Sequence, residues 1–463
     1  ISLKFIMFLR LKSRYQTRRD VPEASKTMIE LKAKLINIPV GKRLVLLHKE
    51  DARKNGVLLH DRVKISYKKD TTTAFVDITD TFLQPGEIGI FKELRDELGI
   101  KEGNLISVTP AKIPESVNYI RKKMKGKPLM KNEIYDIICD IVEHNLSELE
   151  IAAFLMAEDF YGMSMDEVEY LTQAMVAAGT TIDFECRCYD KHSIGGVPGN
   201  KVSLLIVPII AAAGLLIPKV SSRAITSPSG TADTMEVLAG VEFAASELKE
   251  MALKVGGAIV WGGKLGIAPA DDLMIHVEYP LSLDPLGQMI ASIMAKKLAV
   301  GADCIVIDIP VGAGAKVETE EDARKLAQNF VDLGDRVNVQ VQCGITYGGQ
   351  PVGHTVGPAL EAREALLALN GKGPASLIEK STALAGMLLE MGGVAPRDRG
   401  KEAAKELLFS GKALKKMREI IEAQGGNPNI KPEEIPIGQH HMEIRAPCDG
   451  FVTNVDNTAI TAI

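Results

Sequence analysis

A single tryptophan stands among 463 residues, and aromatic side chains make up only 5% of the chain. Proteins that grip single-stranded nucleic acid stack its bases on such rings, so a stacking platform is not expected. Positive charge is not in surplus either: 55 basic residues face 60 acidic ones, for a net charge of −5. A global field for nucleic acid is therefore missing, while a local anion pocket is not excluded. The six cysteines lie at 139, 186, 188, 304, 343 and 448 with no Cys-x-x-Cys among them. Cys186-x-Cys188 is too short a spacing for a zinc knuckle, and buried free thiols are the expected state. No zincin, EF-hand or nucleophile-elbow pattern occurs, so no metal site is expected. The longest apolar run, residues 202–217, falls short of the roughly 20 residues of a bilayer span and holds Pro208 and Gly214. It reads as a buried core helix. The first nineteen residues carry six basic and no acidic side chains, without the cleavage site of a signal peptide. Residues 1–27 are expected to be a leader or disordered, and the protein cytoplasmic, without membrane or nucleic-acid partners.

What is present is ordinary globular material, 46% hydrophobic and 25% charged, enough for about three domains. Residues 28–112 read as a β-rich N-terminal domain: 31–38 alternates imperfectly, 62–67 alternates well, and Pro85-Gly86 marks a turn. From 113 to 180 the period becomes helical. Ile134, Ile137, Ile138, Ile141 and Val142 form one apolar stripe, and Ser147-x-x-Glu150 and Ser164-x-x-Glu167 are capping boxes. Residues 181–269 and 301–463 read as an α/β domain of strands, glycine loops and helices. Cys304-Ile-Val-Ile307 fits a strand buried on both faces, and helices are predicted over 318–333 and 357–369. Residues 442–453 look like the opening of a further β-rich element that breaks off at Ile463.

Four segments could carry chemistry. Asp190-Lys-His-Ser-Ile-Gly-Gly-Val-Pro-Gly-Asn-Lys201 runs into the apolar helix, and a glycine loop at a helix N-terminus is a natural seat for phosphate. Lys191, Ser193 and Ser203 would add a charge and two hydroxyls. It is not a P-loop, because Gly195 and Gly199 are too close together and Lys201 is neither next to a glycine nor followed by Ser or Thr. The second segment, 219–233, packs Ser221, Ser222, Thr226, Ser227, Ser229 and Thr231 around Arg223, a composition suited to oxyanions and sugars. The third is Asp284 followed by Ser292 and Lys296, the last two on one helical face. The fourth, Val311-Gly-Ala-Gly-Ala-Lys316, follows the buried strand, where ligands of open α/β sheets collect. Of eight histidines, only His192 sits inside a motif. Asp271-Asp272 could bind Mg²⁺, but an exposed acidic turn is the expectation.

Together the Asp190-Lys-His-Ser-x-Gly-Gly-Val197 segment, the Ser-x-Arg…Gly-Thr loop and Ala291-Ser-Ile-Met-Ala-Lys-Lys297 resemble the thymidine/pyrimidine-nucleoside phosphorylase family over residues 115–460. The β-rich module in front resembles its archaeal branch, the AMP phosphorylases. The resemblance implies an α/β fold with a helical domain, completed by 270–300, hinged to a mixed α/β domain. It implies phosphate contacts at Lys191, Ser193, Ser203, Ser221 and Thr231. Nucleotide contacts would fall at Gly196, Ser222, Arg223, Ala224, Ile225, Thr226, Ser227, Thr231, Ser292 and Lys316, and Asp284 would be the proton donor. His192 and Lys296 are further candidates. The implied partners are AMP, or CMP and UMP, with orthophosphate as co-substrate and no cofactor, in a homodimer or larger homo-oligomer. The family's pyrimidine-reading Tyr and Arg map to Met274 and Val277, which points away from thymidine. A pyrimidine-nucleoside phosphorylase is an alternative. So are an anthranilate-type phosphoribosyltransferase using Mg²⁺ at Asp271 and Asp272, and a nucleotide-binding regulator without turnover.

Overall fold

The computed structural model describes residues 28–224 and 227–463, so the expected leader over 1–27 and the candidates Ile225 and Thr226 lie outside the described residues. The chain divides into two compact units: the part up to Arg121 with 140–151, and 122–139 with 152–463. The division falls inside the helical stretch of 113–180.

In the first unit, β1 (Ile29–Leu35), β2 (Leu44–His48), α1 (Lys49–Lys54), β3 (Arg62–Tyr67), β4 (Asp70–Thr79), β5 (Glu87–Ile90), α2 (Lys92–Leu98) and β6 (Leu105–Pro110) build a β-module. Its six strands close into a barrel in the order β1-β5-β2-β4-β3-β6. Alternation supplies the interior: Leu31 and Ala33, Val45 and Leu47, Val63 and Ile65, Ala74 and Val76, Ile88 and Ile90, and Ile106 and Val108 are buried. Such period-two pairs turn one face of every strand inward. Arg62 pairs with Glu150 and donates to the carbonyl of Asn145 at 2.6 Å.

The helices are α3 (Ser116–Lys123), α4 (Lys131–Val142), α5 (Glu148–Tyr161) and α6 (Met165–Ala177). Both expected capping boxes form: Glu150 accepts from the Ser147 N–H at 2.8 Å, and Glu167 from that of Ser164 at 2.9 Å. Beyond them the second unit continues with β7 (Cys188–Ser193), α7 (Ser203–Ala212), β8 (Ile217–Ser221), α8 (Thr231–Glu236), α9 (Ala245–Val255), β9 (Gly257–Trp261), α10 (Pro269–Leu281) and α11 (Leu286–Ala299). It closes with β10 (Ala302–Val311), α12 (Glu320–Arg336), β11 (Gln340–Tyr347), α13 (Pro358–Leu369), α14 (Ala375–Met391), α15 (Gly400–Phe409), α16 (Lys412–Ala423) and α17 (Asn457–Ala462). β10 is the middle strand of a parallel sheet ordered β11-β10-β7, and β8 and β9 form a second parallel pair. The Cys304–Ile307 run is fully buried, as a central parallel strand requires. α7 is buried from Ser203 to Ala211, because its residues Ser-Leu-Leu-Ile-Val-Pro-Ile-Ile-Ala-Ala leave no polar face. α11 packs along α6.

Three sequence expectations need correction. Residues 442–453 form no strand and are exposed, with no strand paired to them among the described residues; the short α17 follows instead. Only Cys188 and Cys304 are buried and Cys343 is intermediate, while Cys139, Cys186 and Cys448 are exposed. Asp271 is not in an exposed turn: it is fully buried in the first turn of α10. Among the described residues no helix is long and apolar enough to cross a membrane.

Candidate active site

The parallel strands β7 and β10 run side by side, with Asp190 paired to Ile305 and Ser193 to Asp308. Each therefore delivers the residues after it to the same end of the sheet. There the glycine loop of 194–200 turns from β7 into α7, and 312–316 follows β10. The two loops touch: Gly196 has φ +81°, and a Cβ on it would lie 2.9 Å from the Lys316 amide nitrogen. Only glycine meets both conditions. Lys201, the residue that fails the P-loop pattern, is not part of the cavity. Its buried Nζ donates to the carbonyls of Val352 and Thr355 at 3.1 and 2.8 Å and pairs with Glu364 at 2.5 Å, fixing the loop's far end.

Above these loops lies a cavity of about 670 Å³. Lys191, His192, Ser193, Gly196 and Ser203 line it from β7 and α7; Ser221, Ser222, Arg223, Ser227 and Thr231 from the segment between β8 and α8. Asp284, Ser292, Lys296 and Lys316 complete the set. The four segments that the sequence singles out thus converge on one space. Ala224 does not line it; its N–H donates to Asp233 at 2.7 Å. Met274 and Val277 are buried in α10 away from the cavity, whereas Ile275, Glu278 and Tyr279 of that helix face it. Counting residues back from Ser292 misjudged which side of α10 is presented. Sequence reading also missed Asn200, Lys219, Glu278 and Gln288. Gln288 carried a usable signal, since it lies four residues from both Asp284 and Ser292.

Beneath the glycine loop, two buried aspartates face three buried lysines, Lys191, Lys219 and Lys297, and the half-buried Lys380. Asp308 is 3.6 Å from Lys191 Nζ and 3.1 Å from Lys380 Nζ; Asp190 is 3.7 Å from Lys219 Nζ and 2.7 Å from Lys297 Nζ. With every group ionised the cluster is cationic, and Lys191 and Lys219 present the excess to the cavity. Burial pushes Lys191 down to about 8 despite Asp308. Burial also drives Lys219 well below the ordinary lysine range, with Asp190 opposing and Lys297 assisting. The His192 imidazole is neutral, lowered by burial and the surrounding lysines, and its Nδ1 has no partner among the described residues. Burial of this kind disfavours the charged form, and a neighbouring anion would offset that cost. Asn200 Nδ2 donates to Ser193 Oγ at 3.1 Å, which positions that hydroxyl.

The opposite wall is acidic and apolar. Asp284, its side chain 49% exposed, pairs with Lys316 at 2.5 Å. Lys296 Nζ reaches Asp271 at 2.6 Å and Ser292 Oγ at 3.2 Å; burial lowers Lys296, but Asp271, with Asp272 and Glu278, more than offsets it and holds it above its ordinary value. Burial, then the charges of Asp271 and Asp284, push Glu278 up to about 7. Arg223 lines the cavity, but Asp233, Glu236 and Glu242 hold its guanidinium at 3.2, 2.5 and 3.2 Å, and it lies 4.9 Å from the Trp261 ring. Three carboxylates thus already hold the guanidinium beside the hydroxyl loop.

Sequence models of a glycosyl transferase family match in two parts, the helical bundle domain over residues 117–179 and the a/b domain over 185–414. The chain is 54% identical to an AMP phosphorylase of Methanosarcina barkeri over 437 residues, 94% of this chain and 86% of that protein. It is equally similar, 54% over 437 residues, to an AMP phosphorylase of Thermococcus kodakarensis, covering 87% of that protein. The corresponding figure for Pyrococcus furiosus is 52% over 436 residues, 93% of this chain and 86% of that protein. Among solved structures, anthranilate phosphoribosyltransferase of Thermus thermophilus matches with a TM-score of 0.56 at 20% identity, over 66% of this chain and 99% of that one. That likeness is one of fold.

Proposed function

The chain belongs to the glycosyl transferase family that includes the AMP phosphorylases, and from that premise we propose that it cleaves AMP, with CMP and UMP as further substrates, by phosphorolysis. Orthophosphate attacks C1′ of the ribose, the N-glycosidic bond breaks, and the products are the free base and ribose 1,5-bisphosphate. The observation that carries this reading is the buried lysine excess under the glycine loop.

In this reading Lys191, Ser193, Ser203, Ser221 and Thr231 hold orthophosphate at the N-terminus of α7, with neutral His192 beside it. Fixing the nucleophile against C1′ can remove about 7–11 kcal/mol of barrier in favourable model reactions. The nucleotide's own phosphate takes the Lys316 ammonium, aided by Ser222, Ser227 and the backbone at Gly196. That releases Asp284 from its ion pair to carry a proton to the departing base, a contribution of about 10²–10⁴-fold for a general acid. Glu278, already held toward its neutral form, supplies the low-polarity acidic surroundings. No metal or organic cofactor is required. The reading also implies a cytoplasmic enzyme acting as a homodimer or larger assembly.

The phosphoribosyltransferase alternative would need Asp271 and Asp272 for Mg²⁺, and Asp271 is already occupied by Lys296. The deciding assay is phosphate-dependent base release from AMP, CMP, UMP, adenosine and thymidine in EDTA. Nucleotides turn over and thymidine does not, and Asp284→Asn slows release from AMP at least 100-fold. Turnover of thymidine alone, or loss of activity in the chelator, would overturn the reading.

A further inference from the structure

Asp284, Gln288, Ser292 and Lys296 recur every four residues and all line the cavity, which places them along one side of α11 and its lead-in. Three of them have partners: Asp284 has Lys316, and Lys296 has Ser292 and Asp271. Gln288 has none. The residue is 2% exposed, and neither its Oε1 nor its Nε2 finds a hydrogen-bond partner among the described residues. Buried carboxamides in folded proteins are almost always hydrogen-bonded, so an orphan of this kind calls for a reason. Ile275, Met289 and Ile293 line the same cavity and give the group apolar neighbours, the usual composition of a site where a few polar atoms set orientation.

Resting on the phosphorolysis reading, we propose that Gln288 reads the base. A carboxamide sets one donor beside one acceptor, the complement of adenine's amino group and adjacent ring nitrogen. Rotating its terminal torsion by half a turn exchanges the two ends. Unrotated, the side chain also complements cytosine, with its amino group and ring acceptor; with its ends exchanged it complements uracil, with its carbonyl and ring N–H. One residue thereby accepts three bases without a separate pocket for each. It also takes over the task for which Met274 and Val277 are wrongly placed.

The test compares kcat/KM for AMP, CMP and UMP in the unsubstituted chain and in Gln288→Glu and Gln288→Met. A carboxylate at 288 only accepts, so on every base it keeps one bond and opposes one acceptor: the ring nitrogen of adenine and cytosine, the O4 carbonyl of uracil. Gln288→Glu therefore lowers kcat/KM for all three at least 10-fold, with a raised KM for the nucleotide. Gln288→Met, which keeps length but removes both polar atoms, lowers all three about 10- to 100-fold, and both variants leave the KM for phosphate within a factor of two. Because a KM does not depend on the folded fraction, partial unfolding of a variant cannot imitate a nucleotide KM that rises beside an unchanged KM for phosphate. If the unsubstituted chain releases no base from any nucleotide, the phosphorolysis reading fails and takes this inference with it. If it does, and neither variant raises the KM for any nucleotide, the inference alone is wrong.

Discussion

Lys191 is the residue whose ionisation the cavity makes most consequential. An ordinary lysine stays charged to pH 10 or so, whereas burial brings this one down to about 8. Below that value it offers phosphate a full positive charge; above it the charge is lost. The KM for phosphate, corrected for phosphate's own ionisation, should therefore rise about tenfold for each pH unit beyond 8, and stay level between 6.5 and 7.5. A level profile up to pH 9.5 would show that Lys191 does not contact the anion. The same logic makes phosphate binding take up protons near pH 8, because a bound dianion restores the charge that burial disfavours. Much of this was visible in the Lys-His-Ser motif, since those residue types beside glycines suggest an anion. The depressed lysine was not, because it follows from burial in the folded molecule, with Asp308 of β10 opposing and Lys380 of α14 assisting.

At the scale of an element, the glycine loop between β7 and α7 does two jobs. It frees the N-terminus of α7, and it lets the 312–316 segment approach closely. Gly196→Ala would force a Cβ to within 2.9 Å of the Lys316 amide at φ +81°, where the contact is with backbone and cannot swing aside. The expected result is a displaced Lys316 and a loss of at least 10-fold in kcat/KM for AMP, with a melting temperature lowered by only a few degrees. An enzyme of full activity would mean that the contact of the two loops is not needed. The helices α10 and α11 show the limit of reading elements from sequence. Helical spacing placed Ser292 and Lys296 on one side of α11. Which side of α10 meets the cavity depended on the crossing of two helices, so Met274 and Val277 were assigned to the base when Glu278 and Tyr279 face it.

For the whole molecule, buried carboxyls tie stability to pH. Glu278 and Glu361 are both pushed up to about 7, chiefly by burial. A carboxyl whose folded value exceeds its unfolded one stabilises the fold while protonated. That contribution is complete below about 4.5 and is lost as pH climbs through about 7. Glu361→Gln keeps a side-chain oxygen for the Gly357 N–H, 3.1 Å away, and removes the titration. Relative to the unsubstituted chain, its unfolding free energy should fall less between pH 4.5 and 7, by on the order of 3 kcal/mol. Chemical denaturation at the two pH values measures it, and identical slopes would contradict the assignment. The barrel of 29–110 has its own closed core.

The sequence by itself determined the element types, the barrel's inward alternation, the buried central strand and the loops that carry glycine, hydroxyls and lysine. These follow from local periodicity, capping and backbone freedom, which act between near neighbours in the chain. Only the tertiary structure decided that the four loops meet in one cavity and that Arg223 is spent on three carboxylates. It also decided that Asp271 is buried against Lys296, and that Gln288 stands unpaired among partnered neighbours. Charge balance and burial are sums over residues far apart in sequence, and they exist only once the helices and strands have packed.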